Sequence, residues 1–338
     1  MGHSIIPALH PSVALHFGSK PLPSIAACEH YAGSERLIRK ALQLQSGSAT
    51  DRGPIFDITA DCEDGASVGN ETAQAQMVAR IINDETNRFA RVGARVHDIA
   101  HPHWRQDIEI IIGGAGAKVA YVVLPKVNSA ADAMTQILVV NSACKRHQIA
   151  RDIPIHVLIE THGALHEVWH IAGLPQLESI DFGLMDFVSE HRGAIAGAAM
   201  VSPGQFEHPL IARAKAEIAA AALGNGIIPA HNVTTELRET DVVRADARRA
   251  CREFGFLRMW SIHPNQIQPI VEAMQPDTSE VTDATSILCQ AQDAAWGPIQ
   301  HAGRLHDRAS YRYYWEVLRR AHATGMNLPS MAKQRFFS

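Results

Sequence analysis

Short apolar runs recur along the chain, and between them lie longer stretches whose apolar residues return every three or four positions. The short runs predict strands at Ser24–Cys28, Ile55–Asp61, Ala94–His97, Val119–Leu124, Ile155–Glu160, Ser179–Gly183, Ile227–His231 and Met259–Ile262. Several are apolar almost throughout, as strands covered on both faces are. The longer stretches predict helices over Ser34–Gln45, Thr72–Phe89, Ala130–His147, Gln205–Leu223 and Thr234–Phe254. In the first of these, Ser34 is a natural N-cap, and Leu37, Ile38, Ala41 and Leu42 fall on one face. Strands alternating with helices imply parallel strands joined by crossovers. Eight such units predict a (β/α)8 TIM barrel over residues 1–275, with a doubly wound open sheet as the competing architecture. Residues 276–338 predict a C-terminal helical extension: a helix near 280–301, then a segment with Tyr311, Tyr313, Tyr314 and Trp315 that reads as a lid or subunit-contact arm. The last ten residues, with Lys333 and Arg335, are expected to be partly disordered.

Composition narrows the function. The chain has 338 residues, 46% of them hydrophobic, enough to build one barrel without disulfide or metal staples. Its net charge of -4 is spread without long single-sign runs, so there is no basic stripe for nucleic acid. Five scattered cysteines include no Cys-x-x-Cys pair and read as reduced thiols. The N-terminus lacks the form of a signal peptide, and no apolar run approaches the roughly 20 residues of a membrane helix. A soluble cytoplasmic protein is expected, one that binds neither nucleic acid nor membrane. The histidines are numerous but mostly isolated, as at His147, His170 and His301, and read as solvated or core residues.

Barrel active sites lie at the C-terminal ends of the strands. There the predicted strands place Asp61-Cys62-Glu63-Asp64-Gly65, Arg95 and His97, Lys126, Glu160-Thr161-His162, Gly183-Leu184-Met185-Asp186 and His263-Pro264-Asn265-Gln266. Glu160 ends an apolar strand and needs a partner, because an unpaired buried carboxylate is costly. Asp186 follows the next strand, and neighbouring strands run about 5 Å apart, so the two carboxylates can share a divalent ion. Oxygen-only ligation suits Mg²⁺, with Mn²⁺ as a substitute. The competing reading pairs Glu160 with Arg95 or Lys126 and needs no metal. Arg95 suits a substrate carboxylate, or an internal salt bridge to Glu63 or Asp64. Gly113-Gly114-Ala115-Gly116 reads as a helix-to-strand turn, not a phosphate loop. Ser67 and Ser189 lack triad partners, and carboxylates beside Cys62 make it a poor nucleophile.

In order, Asp61–Gly65, Arg95, Leu124-Pro125-Lys126-Val127, Ile159-Glu160-Thr161, Phe182–Asp186 and Ile262–Gln266 resemble the motifs of the citrate lyase beta-subunit family, within the superfamily of HpcH/HpaI aldolases and malyl-CoA lyases. Pro276–Val281 resembles that family's segment after the barrel. The resemblance implies a (β/α)8 barrel, Mg²⁺ on Glu160 and Asp186, and Arg95 on the oxo acid or its developing oxyanion. It also implies homo-oligomers, commonly trimers or hexamers. Arg95, Lys126, Gly183 and Leu184 are the expected substrate-binding residues, and Glu63, Asp64 and His263 the candidate proton acceptors. Departures from CoA-using relatives at Ile25–Gly33, Arg258-Met259 and Ile228–Asn232 leave both a free 3-hydroxy acid and its CoA thioester open as substrates. The expected function is Mg²⁺-dependent carbon–carbon cleavage. The alternatives are a CoA-independent class II aldolase releasing pyruvate or another 2-oxo acid, and a non-catalytic metabolite-binding or assembly subunit.

Overall fold

A computed structural model describes residues 9–15 and 22–337; most of the segment on which the leader expectation rests lies outside the described residues. Eight parallel strands close a barrel: β1 Cys28–Ala32, β2 Phe56–Asp61, β3 Val92–Arg95, β4 Val122–Leu124, β5 Ile155–Ile159, β6 Leu177–Phe182, β7 Ile228–His231 and β8 Arg258–Ser261. Each strand pairs with the next, and β8 closes on β1 through Cys28 and Met259. The predicted barrel is therefore the observed one, and the open sheet is not.

Side chains alternate across this wall. Outward residues such as Ile58, Val92, Val157, Ile159 and Ile180 are fully buried beneath the helices. Inward residues form a middle apolar layer of Tyr31, Tyr121, Val123, Leu158, Ala230 and Trp260. Tyr31 stacks on Trp260 with ring centroids 4.5 Å apart. Below that layer the interior is ionic, and above it lies the mouth.

Some local expectations shift. β1 begins at Cys28, where the predicted strand ended, because the observed strand carries Glu29 inward. A carboxylate inside a barrel is tolerable only with partners, and Glu29 finds Thr59 at 2.5 Å and Arg258 at 3.1 Å, both distant in sequence. The helix beginning at Glu35 is capped by the Ser34 hydroxyl and buries Ile38, Ala41 and Leu42 as its pattern predicts, whereas Leu37, expected on the same face, is exposed. The 205–223 stretch is broken at His208, with Pro209 opening the longer helix Pro209–Gly224, since proline fits a first helical turn and not an interior. The 72–89 stretch stops at Asn83. The predicted 234–254 helix starts only at Thr240, because the Gln266 amide holds the Thr234 and Glu236 carbonyls in a loop. Gly113 and Gly114 lie in the last turns of the helix Trp104–Ala115.

The compact barrel unit is Ile25–Met274. The second unit begins at Gln275, and the described residues up to and including Ser24 group with it rather than with the barrel as expected. The Leu9 carbonyl accepts the Trp296 indole N–H at 3.0 Å, and the His10 ring meets Trp315 edge-on at 5.3 Å. The helix expected over 280–301 spans Thr278–Asp293, and residues 299–306 instead form a hairpin of β9 Ile299–His301 and β10 Arg304–His306. Nor is the tail disordered: Ser330–Phe336 is helical, with Ala332 and Phe336 buried. Among the described residues no helix is long and apolar enough to cross a membrane.

Candidate active site

Because β5 and β6 pair with Ile159 opposite Phe182, the next residues on each strand, Glu160 and Gly183, face each other at the mouth. Asp186 follows in the first turn of the helix Leu184–Glu190. Glu160, Gly183, Leu184, Asp186, Arg95 and Asp64 all line one cavity of about 390 Å³.

Glu160 is 2% exposed. Its Oε1 accepts the backbone N–H of Lys126 at 2.7 Å, an approach set by the left-handed conformation of Lys126 at φ 48°. Neither the Lys126 ammonium nor Arg95 pairs with it. Burial, and then the charge of Asp186, pushes the Glu160 carboxyl up to about 8. The fold alone therefore favours the neutral acid. The room for its carboxylate depends on Gly183: a methyl group there would sit 2.2 Å from Glu160 Oε2.

Arg95 ends β3 and is clamped from one side. Its Nε and Nη2 make a two-pronged pair with Asp61 at 2.8 and 2.6 Å, and Nη1 reaches Glu63 at 3.0 Å. Asp61 also accepts the backbone N–H groups of Glu63 and Gly65. Although Asp61 is buried, Arg95 and these donors hold its carboxyl below the usual range. The guanidinium lies 5.2 Å from the centre of the Tyr31 ring, so its plane is fixed while its remaining N–H bonds stay free for a ligand. The internal salt bridge and the open face coexist. Asp61, which lies within the acidic triple read from the sequence, is the clamp; Asp64 makes no pair with Arg95.

The Lys126 ammonium bridges Glu63 at 2.7 Å and Asp64 at 2.9 Å, with Asp186 at 3.9 Å. Lys126, expected to bind substrate, and Glu63 line not the main cavity but a second one of about 240 Å³ that reaches His97 and His101; of this trio Asp64 alone lines both. His263 lines neither cavity: its Nδ1 accepts the Asn265 N–H at 3.2 Å at the start of the helix Pro264–Met274. Cys62 is fully buried, and its thiol is pushed well up by that burial, then by Asp107 and Asp61. Tyr31 and Trp260, which form part of the cavity lining, were hidden from the sequence reading by the shifted β1 and by the absence of any charge on the pair.

A closed parallel barrel with ionisable groups gathered at its C-terminal mouth has the architecture of a barrel enzyme. The HpcH/HpaI aldolase/citrate lyase family model matches residues 57–264, and the chain belongs to that family. It is accordingly a carbon–carbon lyase. A crystallised citrate lyase from Burkholderia xenovorans LB400 is 51% identical, with 97% of this chain and 100% of that one covered at a TM-score of 0.87. The L-malyl-CoA/beta-methylmalyl-CoA lyase of Cereibacter sphaeroides is 27% identical over 278 residues, 78% of this chain and 86% of its own. CitE from Mycobacterium tuberculosis, crystallised with magnesium, acetoacetate and coenzyme A, is 19% identical and shares the fold at a TM-score of 0.67, with 88% of this chain and 98% of its own covered.

Proposed function

We propose that this barrel mouth cleaves a 3-hydroxy acid, as its CoA thioester, with Glu160 and Asp186 holding Mg²⁺ or, in its place, Mn²⁺. The observation that carries the reading is that two carboxylates, one just after β5 and one in the helix after β6, open onto one cavity beside a clamped arginine. Held by Glu160 and Asp186, such an ion would supply Lewis-acid polarisation to the bound substrate. The rest falls to the chain. Of the three candidate proton acceptors only Asp64 lines the cavity, and we assign it the hydroxyl proton. As that proton leaves, the carbon–carbon bond breaks, an aldehyde or oxo acid departs, and the other fragment keeps the electron pair as an enolate. Arg95 sets a fixed positive charge where the negative charge grows. Leu184 and Gly183 shape the opposite wall, with Lys126 orienting Glu63 and Asp64. The CoA thioester is favoured by the malyl-CoA lyase relatives. A cytoplasmic homo-oligomer, trimer or hexamer, completes the proposal.

The test is a panel of malyl-CoA, methylmalyl-CoA, citramalyl-CoA and the corresponding free acids, each with Mg²⁺ and with chelator. Magnesium-dependent cleavage of a thioester supports the reading. Cleavage confined to free acids with release of a 2-oxo acid points to an aldolase, and no cleavage of any member counts against the assignment.

A further inference from the structure

Beneath the apolar layer, the barrel interior holds a second cluster of ligating atoms. Glu29 on β1, His156 on β5 and Asp181 on β6 are all fully buried. Glu29 Oε2, His156 Nδ1 and Asp181 Oδ2 converge within 4.8 Å of one another. None of these three atoms has a hydrogen-bond partner, although Glu29 Oε2 has the Arg258 guanidinium 3.1 Å away as an ion pair. His156 Nδ1 lies 3.7 Å from Glu29 Oε2 and 4.0 Å from Asp181 Oδ2. Those gaps exceed hydrogen-bond reach, yet two donors each about 2.1 Å from one ion stand up to about 4.2 Å apart.

The other ligating atom of each residue is already held. Thr59 donates to Glu29 Oε1 at 2.5 Å, Ser179 donates to Asp181 Oδ1, and His156 Nε2 meets Glu178 at 3.2 Å. A carboxylate on Nε2 takes that nitrogen's proton in a hydrogen bond and turns the Nδ1 lone pair toward the two carboxylates, the arrangement that orients metal-binding histidines. Stacking on Tyr121, with centroids 3.9 Å apart, fixes the ring.

Charge points the same way. Arg258 donates to Asp57 at 2.9 Å and lies 3.1 Å from Glu29 Oε2, and Arg91 grips Asp57 through two bonds of 2.7 Å. With His156 neutral, the carboxylates of Glu29, Asp57, Glu178 and Asp181 outnumber these two guanidinium groups by two. One divalent ion removes that surplus, and so would two protons. Burial and Glu29 push Asp181 up to about 7, and Glu178 and Glu29 outweigh burial to hold His156 up at about 9. The cluster therefore takes up positive charge in one form or the other.

We propose that Glu29, His156 and Asp181 form a structural site for a divalent transition-metal ion inside the barrel, separate from the site at the mouth. One imidazole nitrogen with two carboxylate oxygens suits Zn²⁺ or Mn²⁺ better than Mg²⁺, which prefers oxygen alone. The site is four residues below Glu160 on the same strand, roughly 13 Å at about 3.3 Å per residue. Glu178, with 18% of its side chain exposed, marks the short way to solvent at the N-terminal end of the barrel.

The experiment uses a Glu160→Gln/Asp186→Asn chain, which lacks the ligands at the mouth, produced in medium supplemented with Zn²⁺ and Mn²⁺. Desalted protein is measured for bound metal by plasma mass spectrometry and for melting temperature. The expected result is about one transition-metal ion per chain, at least a tenfold loss of that ion when Asp181→Asn or His156→Leu is added, and a lower melting temperature after refolding in chelator. Asp181→Asn keeps the size of the side chain and an oxygen for Ser179, so it guards against a variant that merely fails to fold. Folded protein carrying only a trace of metal, which leaves protons or water in the cluster, overturns the proposal. So does an ion that survives both substitutions.

Discussion

Replacing Gly183 by alanine tests the geometry of the mouth more sharply than removing a charge. The new methyl carbon would lie 2.2 Å from Glu160 Oε2, 2.5 Å from its Cβ and 3.0 Å from its Cδ. Only the first of these atoms is a flexible tip; the Cβ is fixed to the backbone directly after β5. Ordinary van der Waals contact begins near 3.4 Å, so Glu160 must move by about 1 Å or the strands must part. A displacement of that size at a reacting centre costs on the order of 10²-fold in rate. Gly183→Ala should therefore lower kcat/KM for the cleaved thioester by roughly 10²-fold and weaken Mg²⁺ binding, while far-ultraviolet circular dichroism stays unchanged. Steady-state cleavage over a Mg²⁺ series reads both effects. Turnover and metal dependence equal to wild type would refute the claim that Gly183 makes room for a working Glu160.

Arg95→Ala should abolish cleavage and also destabilise the barrel by about 3–5 kcal/mol in urea unfolding, because it leaves the buried Asp61 carboxylate without its cation and Glu63 with Lys126 alone; an unchanged unfolding midpoint would contradict the clamp. Asp64→Asn should lower kcat on the order of 10²-fold with little change in Mg²⁺ affinity, and retention of wild-type kcat would remove Asp64 from the proton transfer. The raised Glu160 carboxyl also has a pH signature. Its folded value of about 8 lies above the ordinary 4.5, so the fold favours the neutral acid. That stability is complete below about 4.5 and is lost as pH rises toward 8, by up to roughly 1.4 kcal/mol per pH unit. Thermal melts of metal-free wild type and Glu160→Gln from pH 5 to 8 should diverge accordingly, and parallel curves would refute the shift.

The fold was legible because most barrel strands are short apolar runs followed by a helical pattern, as in Ile155–Ile159 leading to Glu160. Arg95 and Glu160 reach the rim for a related reason: a charged residue at the end of an apolar strand has nowhere else to go, and Asp64 and Asp186 follow just beyond β2 and β6. What could not be read was long-range compensation. Glu29 looked like the end of a strand because its partners, Thr59 and Arg258, come from β2 and β8. For the same reason Tyr31 was not expected to support Arg95, nor Asp61 to be singled out as its clamp. His263 carries a motif that reads as catalytic, yet its ring serves the start of a helix. The breaks at His208 and Asp293 lie where proline and loop contacts override a continuing apolar pattern.

The most direct measurement is cleavage by metal-stripped enzyme as Mg²⁺ is added back, in wild type and in Glu160→Gln and Asp186→Asn. Wild type should be inert in chelator and recover along a saturable curve, while both variants stay at least roughly 10³-fold below it at every Mg²⁺ concentration. Full turnover in chelator, or either variant following the wild-type curve, would contradict the account.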